Sequence, residues 1–198
     1  MFRAGDTIEN PITGERIVFV KTASETDGEA VVVETFVRPG GFVATAHVHP
    51  HQEERCHVLR GAVGFCADGK ELELGAGGQV TVPAGTPHKF WNAGAEEAHF
   101  ICEVRPALQF EQLLETMFAL AVDGKTNKKG LPNPLRLAVI ARAYFDTVRL
   151  AFPPVTVQRL ALAAAAPFGA LLGYDARYPR EAASPRRASR PLTAADAR

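Results

Sequence analysis

Residues 41–61 read Gly41-Phe-Val-Ala-Thr-Ala-His47-Val-His49-Pro-His51-Gln-Glu53-Glu54-Arg-Cys56-His57-Val-Leu-Arg-Gly61, and they hold four of the chain's six histidines. On a strand, positions i and i+2 project to the same side. His47 and His49 therefore project together, as two imidazoles on one metal ion require. A carboxylate shortly afterwards, beyond the bend at Pro50, supplies an oxygen donor, and Glu53 and Glu54 compete for that role. His51 follows the proline and reads as an exposed loop residue. Farther on, Gly77-Gly-Gln-Val-Thr-Val-Pro83-Ala-Gly85-Thr-Pro87-His88-Lys-Phe-Trp-Asn92 brings another histidine to the start of a strand behind a tight turn.

Outward from these segments, short β-type runs alternate with glycine, proline and aspartate punctuation. The expected strands are Arg16–Lys21, Ala30–Arg38, Gly41–His49, Cys56–Cys66, Lys70–Leu74, Gln79–Val82, His88–Asn92 and Ala98–Arg105. Several short strands at near-regular spacing predict an antiparallel sandwich or small barrel, not alternating β-α-β units. On the last strand Phe100, Cys102 and Val104 share the face expected inside, which leaves His99, Ile101 and Glu103 outside. Phe65, Phe90, Phe100 and Cys102 are the candidate pocket residues. His57 and His99 read as ordinary strand residues, and Asn92 as a turn-fixing one.

After Pro106 the apolar period changes to that of helices. Phe110, Leu113, Leu114, Met117, Phe118 and Ala121 form one stripe, with Glu111 and Glu115 off it. A second pattern from about Leu135 to Phe152 puts Leu137, Ala138, Ala141, Tyr144, Phe145 and Val148 on one face. Arg142, Asp146 and Arg149 lie opposite, at spacings that permit pairing. Residues Leu160–Tyr174 are apolar nearly all round but too short for the ~20 residues of a bilayer span. They predict a buried or interfacial helix, with peripheral membrane contact as a lesser alternative. From Asp175 onward the Pro-, Ala- and Arg-rich tail is expected to be disordered. The divisions are thus 1–106, 107–174 and 175–198.

The chain has 198 residues, and its 22 basic and 22 acidic side chains cancel. A balanced charge removes the simplest case for nucleic-acid binding. The balance hides a division: residues 1–106 carry a net −6 and residues 107–198 a net +6. The three cysteines, Cys56, Cys66 and Cys102, are far apart in sequence and fit no disulfide framework. Arg3, Asp6 and Glu9 interrupt any secretory apolar run, so a reducing cytoplasm is the expected location.

Both histidine segments resemble the two motifs of the cupin superfamily. The first motif (Gly, five residues, His-x-His, four residues, Glu, six residues, Gly) is met by Gly41, His47, His49, Glu54 and Gly61. The second (Gly, five residues, Pro-x-Gly, two residues, His, three residues, Asn) is met by Gly77, Pro83, Gly85, His88 and Asn92. The six-residue gap to Gly61 favours Glu54 over Glu53. The resemblance covers roughly residues 30–106 and implies a mainly β, double-stranded β-helix (jelly-roll) barrel followed by C-terminal α-helices. It further implies one divalent transition metal held by His47, His49, Glu54 and His88. Imidazoles and a carboxylate suit Fe, Mn, Ni, Cu, Co or Zn. The expected function is a metal-dependent enzyme acting on a small organic molecule, aromatic or polyketide-like, by oxygenation, isomerisation or cyclisation. The alternative is a non-catalytic binding or sensing barrel. A homodimer is the expected assembly, and the C-terminal helices are expected to cover barrel surface or complete that dimer.

Overall fold

The computed structural model describes residues 2–178. The chain first runs through β1 (Thr7–Asn10), β2 (Glu15–Lys21), β3 (Val31–Val37), β4 (His47–Val48), β5 (Glu53–Arg60) and β6 (Val63–Ala67). It continues through β7 (Lys70–Leu74), β8 (Gln79–Val82), β9 (His88–Asn92) and β10 (Ala98–Arg105). Then come α1 (Phe110–Val122), α2 (Pro134–Ala143), β11 (Arg149–Leu150) and α3 (Val155–Leu171). The strands form two antiparallel sheets, in the orders β1-β2-β3-β10-β5-β8 and β11-β4-β9-β6-β7. The fold is a jelly-roll barrel with C-terminal helices.

Two-residue alternation explains why the sheets enclose a core. On β3 the buried side chains are Val31, Val33, Thr35 and Val37; on β10 they are Ala98, Phe100, Cys102 and Val104. Phe19 and Phe65 are fully buried. The Phe65 ring meets Phe90 and Phe100 at centroid distances of 6.2 Å each, within the range of favourable aromatic pairs.

The strands expected at 70–74, 79–82, 88–92 and 98–105 have those bounds. The expected run Cys56–Cys66 is instead two strands, β5 and β6, broken at Gly61. That glycine has φ 75°, and a Cβ there would lie 2.9 Å from Ala98 Cα, so the turn requires glycine. The run Gly41–His49 is a strand only at its end. Phe42 N instead donates to Thr13 O (3.0 Å), holding the chain to the corner beside β2. Cys56 and Cys102, distant in sequence, are register partners on β5 and β10 with sulfurs 3.3 Å apart, and both are free thiols.

The C-terminal half departs further from expectation. Asn133 caps α2 by accepting from Arg136 N (3.0 Å), with Pro134 opening the first turn. The helix ends at Ala143 rather than near Phe152. Thr147 N and Val148 N both return to Tyr144 O, and Arg149–Leu150 then pair with the open edge of β4. Edge backbone groups that need partners, and β-branched Thr147 and Val148, favour strand over helix here. With the helix ended, Arg142, Asp146 and Arg149 no longer share a helical face, and no salt bridge joins them among the described residues.

Glu111, expected off the apolar stripe, is buried and accepts from Ala23 N (2.6 Å), tying α1 to the barrel. Helix α3 packs closely on α2 because Gly169 lies where a Cβ would come within 2.6 Å of Leu135 O. Its other face is not buried: Leu160, Phe168 and Leu171 are exposed. No helix of the described residues is long and apolar enough to cross a membrane. Of the tail from Asp175, the described part ends with Tyr178, which packs beside Leu120, Ile140 and Tyr144. The remainder lies outside the described residues.

Candidate metal centre

Both sheets contribute to one cluster. His47 on β4 is the direct register partner of His88 at the start of β9, with ring centroids 4.3 Å apart. His49, two residues beyond His47, brings its ring within 5.1 Å of it. Glu54 comes from β5 of the other sheet, on the inward parity shared by Cys56 and Val58. One donor atom from each of His47, His49, Glu54 and His88 lies within 4.8 Å of the others. Glu53 faces outward and accepts from Arg55 Nε (2.6 Å), so Glu54 is the carboxyl of the two that lies with the histidines. His51 and His57 are exposed, and His99 stacks on Phe36 at 4.0 Å, away from the cluster.

Hydrogen bonds fix which nitrogen of each ring faces the centre. His47 Nδ1 donates to Thr45 O (3.0 Å) and His88 Nδ1 to Thr86 O (2.9 Å). His49 Nδ1 lies 3.0 Å from Gln52 Oε1 and 3.1 Å from Thr147 O. The orientation of the Gln52 amide follows from its nitrogen, which donates to Pro106 O (2.8 Å) and Ala107 O (3.1 Å). Its oxygen therefore accepts from His49. All three rings carry hydrogen on Nδ1, which leaves Nε2 to the cluster, as metal-ligating imidazoles do.

The buried Nε2 atoms of His49 and His88 have no hydrogen-bond partner among the described residues. They stand 3.4 and 3.3 Å from Glu54 Oε2, close but not aligned as hydrogen bonds. Lone pairs converging on a carboxylate in a buried site call for a proton or a metal cation between them. The electrostatics agree. Burial, then the His88 and His49 imidazoles, push His47 down to about 3. Burial alone would raise the Glu54 carboxyl, but the facing imidazoles outweigh it and hold it well below the usual carboxylate range. Burial likewise opposes charge on His88, and Glu54 more than offsets it. The donor set of three nitrogens and one oxygen fits a divalent transition metal.

The cluster opens onto a cavity of about 210 Å³ whose walls are mainly apolar. Phe90, Phe100 and Cys102 line it, whereas Phe65 lies behind them in the core. Leu114 and Met117 of α1 and Leu137, Ile140 and Tyr144 at α2 form its other side. The C-terminal half is therefore part of the site, and it also supplies Thr147 O to His49. The C-terminal helices, expected to cover barrel surface or complete a dimer, thus gain a further role in the cavity wall. Two residues were not legible in the sequence: Gln52, whose amide joins a candidate ligand histidine to the carbonyls that follow β10, and Glu15, a buried carboxyl on the cavity wall. A strand begun one residue earlier would have placed Glu15 on the inward parity of Ile17 and Phe19. For Gln52, proximity to His49 was the only available signal.

Gln52→Leu removes the Oε1 acceptor and leaves two carbonyls without their donor. Metal affinity is expected to fall by about 10–100-fold, the usual effect of losing such an orienting partner. Competition with a chromophoric chelator measures it, and unchanged affinity would show that Thr147 O alone holds the ring.

Residues 26–104 match the family model described as Cupin domain. The probable oxidoreductase virH of Hypocrea virens is 30% identical over 146 residues, covering 67% of this chain and 65% of that protein. The polyketide synthase CurC of Streptomyces cyaneus is 33% identical over 70 residues, 35% of this chain and 45% of that protein. The quercetin 2,3-dioxygenase of Bacillus subtilis is 31% identical over 80 residues, 40% of this chain and 23% of that protein. The chain thus spans less than two thirds of each of these three relatives.

Proposed function

Since residues 26–104 form a cupin domain, we propose that this chain is a metal-dependent enzyme for a small, mainly apolar organic molecule. The ligands are His47, His49, Glu54 and His88. One observation carries the reading: three imidazoles with Nδ1 tied to acceptors turn Nε2 toward one cluster with Glu54, beside an apolar cavity. The metal is Fe, Mn, Ni, Cu, Co or Zn, and it would supply Lewis-acid chemistry, with electron transfer added if it is redox-active.

The chain's own residues do the rest. Thr45, Thr86, Thr147 and Gln52 hold the ligand rings in one orientation, so binding requires little rearrangement. Glu54, kept ionised, offsets the positive charge of the ion. Leu114, Met117, Leu137 and Ile140 wall the cavity against water, which strengthens every polar interaction inside it. A wall of Phe90, Phe100, Leu114 and Met117 suits an aromatic or polyketide-like substrate better than a sugar. The names of two relatives, a polyketide synthase and a quercetin dioxygenase, support that substrate class. Oxygenation, isomerisation and cyclisation are the reaction classes this arrangement serves.

The test is elemental analysis of protein purified without metal supplementation, followed by incubation with hydroxylated aromatic ketones under air. A stoichiometric metal in wild type, its loss in His49→Ala and product formation are the expected results. Full metal content in His49→Ala would overturn the ligand assignment. Thermal stabilisation by such compounds without any turnover would replace the enzyme with a binding barrel.

A further inference from the structure

Glu15 is a carboxyl with no structural partner equal to the cost of burying it. It is 8% exposed, lies on the cavity wall and has no salt bridge among the described residues. Thr13 Oγ1 donates to Oε2 (2.6 Å), and no side-chain hydrogen bond reaches Oε1 among the described residues. Two nearby polar groups have partners of their own. Asn10 Oδ1 accepts from Ile12 N (3.0 Å) and Thr13 N (3.2 Å), and Arg38 Nη2 donates to Pro11 O (2.6 Å). Burying a carboxyl in an apolar wall without full pairing costs free energy, which makes such a group a candidate for ligand recognition.

The sheet register places this carboxyl far from the metal cluster. Glu54 pairs across to Val104, which pairs with Val31 on β3, whereas Glu15 pairs with Val37. Those rows are six residues apart along β3, about 20 Å of strand. Between the two ends the wall is Ile17, Val33, Thr35, Phe90, Phe100 and Cys102. The cavity is thus mainly apolar in its middle, where Thr35 is a small polar exception, and polar at both ends.

From this geometry we infer that Glu15 is a specificity-determining residue: it hydrogen-bonds a hydroxyl or carbonyl at the end of the substrate remote from the metal. The inference rests on the proposed function, because it takes the cavity as the substrate site. Burial pushes the Glu15 carboxyl up to about 7 against the weaker lowering effect of Thr13. It can therefore present an O–H to a carbonyl or accept from a hydroxyl. The ligand class is an elongated, largely apolar molecule with an oxygen donor at one end and a single hydrogen-bonding group at the other.

The probes are 3-hydroxyflavone and its 4′-(4-hydroxybutoxy) and 4′-(6-hydroxyhexyloxy) derivatives, whose terminal hydroxyls can reach toward the remote end, titrated against Zn(II)-loaded protein by flavonol absorbance. Zinc is redox-inert, so the readout is binding and not turnover. In wild type, at least one derivative with the distal hydroxyl is expected to bind about tenfold more tightly than the parent, the worth of one good buried hydrogen bond. Glu15→Leu should erase that preference without changing zinc content or parent affinity, and Glu15→Gln should keep part of it. Equal affinities for all three probes in wild type would overturn the inference, as would an undiminished preference in Glu15→Leu. If even the parent fails to bind the zinc-loaded wild type, the functional reading itself falls and this inference with it.

Discussion

His88→Ala is expected to abolish the thermal stabilisation that a divalent metal gives the wild-type chain. A metal that binds only the folded state at about a thousand times its Kd adds about 4 kcal/mol. For a domain of this size each kcal/mol moves Tm by about 2–4 °C, so the wild-type rise is about 8–16 °C. His88 is chosen because it is the register partner of His47 and faces Glu54 from the opposite sheet, so its loss opens the cluster at its centre. Glu54→Gln provides a second arm. It keeps the shape of the side chain but removes the negative charge that faces two ring nitrogens. Scanning calorimetry with and without metal gives both answers. A wild-type-sized rise in both variants would mean that the metal binds elsewhere.

The difference between what was legible and what was not follows from the range of each interaction. The barrel and the three candidate histidines lay in local patterns: period-two alternation, His-x-His on a strand, and a histidine behind a Pro-x-Gly turn. The choice of Glu54 over Glu53 came from the resemblance to the cupin motif. The register pair His47–His88 then follows from strands that must close a barrel. Long-range backbone needs were not legible. Nothing in the helical pattern of residues 135–152 reveals that β4 has an open edge, yet that edge draws Arg149–Leu150 out of the helix and brings Thr147 O to His49. Gln52 and Glu111 escaped for the same reason. Both are polar residues whose burial makes sense only beside backbone groups distant in the chain, Pro106 and Ala107 for one and Ala23 for the other.

The opposed charges of the two halves acquire a different meaning in the structure. The basic half is not an appendage to an acidic barrel, since α1 and α2 complete the cavity wall and the segment after α2 orients a candidate ligand. Apolar side chains such as Leu114, Met117, Leu137 and Ile140 are most of what this half contributes to the cavity, with Arg149 also on its lining. Exposed Leu160, Phe168 and Leu171 on α3 lie outside that arrangement.

Glu15→Gln should make the fold more stable at neutral pH and leave it nearly unchanged in acid. The unfolded carboxyl ionises near its ordinary 4.5, whereas the folded one holds its proton to about 7. Between those values the unfolded state has released a proton that the folded state retains, so wild-type stability falls as pH rises through the window. Below 4.5 both states are protonated and the penalty vanishes; above 7 it is constant. A difference of this size corresponds to about 3 kcal/mol at pH 8. Glutamine keeps an acceptor for Thr13 Oγ1 and cannot ionise, so the variant should lose this slope. Urea denaturation of metal-free protein at pH 4, 6 and 8 tests the argument without any ligand. The gain of Glu15→Gln over wild type should be near zero at pH 4 and greatest at pH 8. A gain independent of pH would mean that packing, not proton release, separates the two side chains.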